Sequence, residues 1–164
     1  MFSVNDCVMY GITGVCEVTD ITKDKLVGNI KSDYYVLRPV FENNAIIMTP
    51  IDNPKVLIRP LISQSEADNL IENMPSVEIE WISNDRQRNE TFKNQLHTGS
   101  CCEWMKIIRA IHKRKTDVTA SGKKLRQSDE NFMKSAEKLL YEEFSYSLKM
   151  PFDDVKPYIL SHCN

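Results

Sequence analysis

Three histidines, five cysteines and several adjacent carboxylates are the side chains of this 164-residue sequence with the reactivity for catalysis or metal binding. His97, His112 and His162 stand apart from one another, and neither an H-E-x-x-H pair nor a G-x-S-x-G elbow occurs. Gly11 to Gly14 reads G-I-T-G, too short for a phosphate-cradling loop. Cys7, Cys16, Cys101, Cys102 and Cys163 form an odd, unevenly spaced set with no C-x-x-C pair, so reduced thiols are expected. A redox pair at Cys101 and Cys102 is the alternative; adjacent helical residues point in different directions, which favours packing instead. The same geometry separates Glu142 from Glu143 and Asp153 from Asp154, and these acids are expected on solvated faces. The reading that follows is a protein that is not an enzyme, with no catalytic residue, no metal site and no cofactor.

The basic residues carry more information. The formal charge is -2, yet residues 81–126 hold 11 basic against 4 acidic side chains, while residues 1–80 hold 6 against 12. A cationic segment between acidic ones suits a polyanion such as nucleic acid, or equally a helical face kept for solubility. Arg86, Arg88 and Lys93 fall on one predicted helix, and Lys106, Arg109, Lys113, Arg114 and Lys115 on and after the next. Lys123, Lys124 and Arg126 run through a loop around Gly122. Lysines in a loop beside a cation-ended helix can straddle a phosphate backbone, largely without regard to base sequence. Trp81, followed by Arg86 and Arg88, is placed to stack on or wedge against a base. Packing on Phe92, about three helical turns away, is the other reading.

These side chains need two kinds of scaffold. Short β-branched and aromatic runs predict strands over Asp6 to Tyr10, Val15 to Thr22, Asp33 to Pro39, Ala45 to Thr49, and Val56 to Ile58. Gly11, Gly14, Gly28 with Asn29, and Asn43 with Asn44 supply the turns. Five such strands suit a small antiparallel SH3-like or Tudor-like barrel, with edge strands to be covered, charged or paired. Ser63 and Glu66 make a capping box for a helix that Pro75 ends. Helical periodicity is read from Glu80 onward, with Phe92 and Leu96 inward and a stop at Thr98 and Gly99. Ser100 with Glu103 caps the next helix, whose stripe of Trp104, Ile107, Ile108 and Ile111 is expected to be core. A third segment from Ser128 has Asp129 and Glu130 in its first turn and buries Phe132, Ala136, Leu139, Leu140 and Phe144; Pro151 opens the last helix. The expected class is α+β: a barrel over 1–60, a linker helix over 61–79 and a helical bundle over 80–164. No apolar run approaches membrane-spanning length and MFSVND lacks a signal-peptide pattern, so a cytoplasmic protein with no membrane association is expected, a monomer being favoured.

In order and spacing, several short motifs resemble the CarD/CdnL family of bacterial transcription regulators. They are F-S-V-N-D-C-V-M-Y-G-I-T-G-V at the start, D-Y-Y-V-L-R-P from Asp33, T-P at Thr49, L-I-R-P from Leu57, H-T-G-S from His97 and A-E-K-L-L-Y-E-E from Ala136. The family's N-terminal domain is similar to the polymerase-interacting domain of the transcription-repair coupling factor. The resemblance implies a Tudor-like domain that holds the RNA polymerase β subunit through an exposed strand. It also implies a helical domain that touches promoter DNA at the upstream edge of the bubble, with a tryptophan wedge that stabilises the open complex. DNA contact would then fall on Trp81, Arg86, Arg88, Lys113, Arg114, Lys115, Lys123, Lys124 and Arg126. Polymerase contact would fall on Ile46, Ile47 and Met48 with Lys23, Lys25 and Arg38. Two departures stand out: the family's wedge position, counted back from Gly99, falls near Asp85, and Met48 occupies a place that often carries a basic residue. The alternative function is a protein interaction scaffold that uses the barrel edge and the basic bundle without DNA.

Overall fold

A computed structural model describes residues 1–42 and 44–162; Asn43, half of the expected hairpin signal, and the thiol of Cys163 lie outside the described residues. The chain divides into two compact units, Met1–Leu61 and Ile62–Asn164.

In the first unit the strands are β1 (Cys7–Tyr10), β2 (Gly14–Val27), β3 (Ile30–Pro39), β4 (Ile47–Pro50) and β5 (Ile58–Pro60). They form one antiparallel sheet in the order β4-β3-β2-β1-β5. β4 and β5 are its two edges, and no pairing between them closes the expected barrel among the described residues. Alternation places Val8, Cys16, Val18, Tyr35 and Leu37 in one core, against which Phe2, Tyr10, Ile21, Ile47, Ile51 and Ile58 pack. β2 and β3 run longer than the expected strands, into a two-stranded arm turning at Gly28 (φ 63°). The register of the arm shifts at an irregularity between Thr22 and Lys25, where Asp24 takes a positive φ and its N–H donates to Asp33 Oδ1 at 2.9 Å. The arm escapes a reading based on burial because its outer half has no core to alternate against: Leu26 and Ile30 are 65% and 69% exposed.

The second unit is helical: α1 (Gln64–Asn73), α2 (Asp85–His97), α3 (Cys101–Ala120), α4 (Gln127–Ser147) and α5 (Phe152–His162). The Ser63 and Glu66 box is reciprocal, at 3.1 and 3.0 Å. Pro75 lies in a short 3-10 turn that follows α1. α1 is no free linker, because it packs on α4 and α5 within this unit. Ser100 caps α3, while the Glu103 side chain turns away to Gln95 and Lys106. Trp104, Ile107 and Ile111 are buried as the stripe requires, Ile108 only partly, and the Trp104 indole N–H donates to Leu96 O at 3.1 Å.

Two expectations fail here. Residues 77–84 are not helical; α2 starts at Asp85, capped by the Asn84 carboxamide, which accepts from the Gln87 N–H at 2.9 Å. Glu142 and Glu143 are not on a solvated face but buried in the bundle. Glu143 accepts from the Ile62 N–H at 2.9 Å and the Cys101 thiol at 3.0 Å, and Glu142 pairs with Lys138 at 2.8 Å. Such hydrogen-bond and ion partners make that burial tolerable.

Candidate nucleic-acid interface

The irregular segment 77–84 crosses the helical unit under the control of two arginines. Arg109 on α3 donates to Val77 O at 2.5 Å, and Arg88 on α2 donates to Ile82 O at 2.9 Å and to Ser83 O at 3.5 Å. Trp81 lies between these anchors. Its ring meets Phe92 edge-on with centroids 6.3 Å apart, so the contact inferred from a helical repeat is present although the segment is not helical. The Arg88 guanidinium carbon lies 4.5 Å from the Trp81 ring centroid and that of Arg114 lies 5.3 Å from it, both within cation–π reach. Trp81 remains half-buried: neither a sealed core residue nor a free wedge.

Arg88 is the largest departure from the expected DNA-contact set. It is 2% exposed, and its guanidinium makes a two-pronged contact with Asp129 at 2.9 Å on each arm. A further 2.7 Å contact reaches Asp85 Oδ1. Burial alone would lower the Arg88 pKa, but the hydrogen bonds to Asp129 and Asp85 together outweigh it and hold the pKa above its ordinary value. Those donors are committed inside the protein, so Arg88 positions Trp81 and has nothing left for a phosphate. Asp129, expected merely to favour the start of α4, is the other half of this buried pair. The Asp85 and Arg88 contact was discoverable from its i,i+3 spacing; the partnership with Asp129, 41 residues away, was not.

Around Trp81 the fold gathers several of the other expected cations. Arg114 from α3 and Lys123, Lys124 and Arg126 from the loop before α4 line a hollow of about 250 Å³ together with Trp81 and Asp85. The loop doubles back because Gly122 takes φ 75° and the Lys123 N–H donates to Val118 O at 2.8 Å. Lys113 borders a neighbouring hollow that shares Trp81 and Arg114. Lys113, Arg114, Lys123 and Lys124 are exposed and make no ion pair among the described residues, whereas Arg126 is engaged by Asp85. Lys115 lies 3.8 Å from Glu130, and Arg86 is exposed on the first turn of α2; neither lines the hollow. An aromatic ring beside four clustered cations can stack a base and hold its phosphates.

In the sheet unit, Ile46 is 75% and Met48 39% exposed, whereas Ile47 turns inward onto the core. Among the described residues β4 pairs with β3 alone, so it is an edge strand whose outer side can accept a further strand. Lys25 reaches the Met48 sulfur at 3.2 Å, Arg38 lies 3.4 Å from Glu17 across β2, and Lys23 is exposed on the arm.

An open-edged antiparallel sheet followed by a helical unit with a cationic, aromatic-lined hollow defines a two-unit α+β protein built around surfaces. Residues 2–62, almost the whole first unit, match the CarD-like/TRCF RID domain family, so the first unit of this chain is a CarD-like/TRCF RID domain. The domain class is that of RNA polymerase-interacting, transcription-related proteins. No curated protein matches the chain.

Proposed function

We propose that this protein is a non-catalytic transcription regulator that joins RNA polymerase to promoter DNA. The sheet unit binds the polymerase β subunit by adding its open β4 edge to a partner strand, with Ile46 and Met48 as outward contacts and Lys23, Lys25 and Arg38 around them. The helical unit meets DNA at the upstream edge of the melted region through the hollow of Trp81, Arg114, Lys123, Lys124 and Arg126, flanked by Lys113. Because the hollow offers a ring and cations but no compact set of base-reading side chains, binding is indifferent to sequence and sensitive to DNA form. Better binding to opened than to closed DNA stabilises the open complex.

The observation that carries this reading is the convergence of Trp81 with cations from two separate elements on one hollow, in a chain whose other unit is a CarD-like/TRCF RID domain. The test is equilibrium binding of the full chain to forked and fully paired DNA over a series of salt concentrations. Reversal of Lys123 and Lys124 to Glu is expected to weaken binding and to lower the salt slope by about 0.9 for each phosphate that is no longer neutralised. Equal affinity and slope in the reversed variant would remove the hollow from the interface.

A further inference from the structure

Of the two acids that line the hollow, Asp129 is buried and Asp85 is exposed, facing Arg126 of the loop. The two carboxylate oxygens of Asp85 are both taken by guanidinium groups: Oδ1 by Arg88 Nη2 at 2.7 Å and Oδ2 by Arg126 Nη1. The two contacts differ in kind. Arg88 is buried and retains its two bonds to Asp129 whatever Asp85 does. Arg126 is about half exposed, sits at the start of α4 beside Lys123 and Lys124, and has Asp85 as its only ion partner among the described residues. Asp85 itself is 55% exposed, so the pair with Arg126 is open to competition from solvent-borne anions. A carboxylate gripped by two guanidinium groups has the charge, the planar pair of acceptor oxygens and the fork geometry of a bound phosphodiester.

We propose that Asp85 is an internal phosphate mimic, an autoinhibitory contact that holds Arg126 until a nucleic-acid phosphate takes the place of its carboxylate. This rests on the reading that the hollow is the DNA interface, and it adds a regulation to that site. In the free protein Arg126 is parked and the field of the hollow is partly cancelled. A weakly held anion does not make up for the broken ion pair, whereas a polyanion that also engages Arg114, Lys123 and Lys124 does. Asp85 thereby raises the threshold for adventitious anions and leaves the multiply contacting ligand favoured. The hydrogen bonds from Arg88 and then Arg126 hold the Asp85 carboxyl below its ordinary pKa, so the mimic is charged throughout the neutral range.

The test is a double-mutant cycle in the full-length chain, read by binding to forked DNA of fixed sequence at several salt concentrations. Asp85→Asn is expected to tighten binding about two- to fivefold, the range set by an exposed ion pair, and to steepen the salt slope as Arg126 becomes available. Arg126→Gln is expected to weaken binding slightly, and in the Arg126→Gln background Asp85→Asn is expected to change nothing. A gain from Asp85→Asn that persists in that background would overturn the mimic in favour of a general reduction of negative charge. Unchanged affinity of Asp85→Asn, with the Lys123 and Lys124 reversal still weakening DNA binding, would overturn the proposal and leave the DNA interface standing. If neither the wild-type chain nor Asp85→Asn binds DNA, the interface itself is refuted and the proposal with it. Thermal unfolding of each variant separates these effects from loss of fold, and Asp85→Ser, which retains a polar first-turn residue, repeats the measurement should Asn destabilise α2.

Discussion

Arg88 shows how one side chain can be misread by type and corrected by partners. Its position in a basic run suggests a phosphate ligand, yet its charge is spent on Asp129, Asp85 and two carbonyls of the segment that carries Trp81. Replacing Arg88 by Ala strands the Asp129 carboxylate in the interior, so a loss of about 3 to 5 kcal/mol in unfolding free energy is expected from urea titration. The carboxylates also fix a pH response. Asp85 is held below the usual carboxylate range by Arg88 and Arg126, and Glu103 by Lys106 and then Gln95. The unfolded chain takes up these protons at higher pH than the folded one. Their stabilisation is therefore complete at neutral pH and is lost as pH falls through the lowered folded values. Glu103→Gln is expected to flatten the fall in urea midpoint below about pH 5 relative to the wild-type chain.

At the scale of elements, what the sequence discloses depends on how local the cause is. The Ser63 and Glu66 box, the Trp104 stripe and the stop at Gly99 are set by neighbours within a turn or two and were legible. The start of α2 was legible in principle. Val77, Ile79 and Trp81 alternate with Glu78 and Glu80 at the period of an extended chain, and Asn84 is a strong cap. Helical periodicity counted from Glu80 takes in only the end of that alternation and passes over the Asn84 cap. The exposed arm of β2 and β3, the open sheet and the buried Glu143 were not legible, since each depends on what packs, or fails to pack, from far along the chain. Gly11 is a local case with a sharp consequence. Its φ is +46°, a Cβ there would sit 2.8 Å from Val56 Cγ1, and its N–H is bonded to Leu57 O at 2.8 Å. Gly11→Ala is therefore expected to cost about 1 to 2 kcal/mol of stability, measurable as a lowered thermal midpoint.

For the whole molecule, the division at Leu61 and Ile62 assigns the two proposed tasks to separately packed cores. Among the described residues no helix is long and apolar enough to cross a membrane. Substitutions on the two surfaces are expected to act independently. Met48→Asp with Ile46→Asp should abolish capture of a polymerase β-subunit fragment while leaving DNA affinity intact, and the Lys123 and Lys124 reversal should do the opposite. Loss of both activities from either variant, with the fold preserved, would show that the tasks are not divided in this way. The two tryptophans have a spectroscopic consequence. The Trp104 indole is sealed and hydrogen-bonded inside the bundle, whereas that of Trp81 is half open and flanked by Arg114 at the rim of the hollow. Intrinsic fluorescence thus contains a constant, blue-shifted component and one that reports on the hollow, so occupancy of the site can be followed by red-edge excitation of the unlabelled protein.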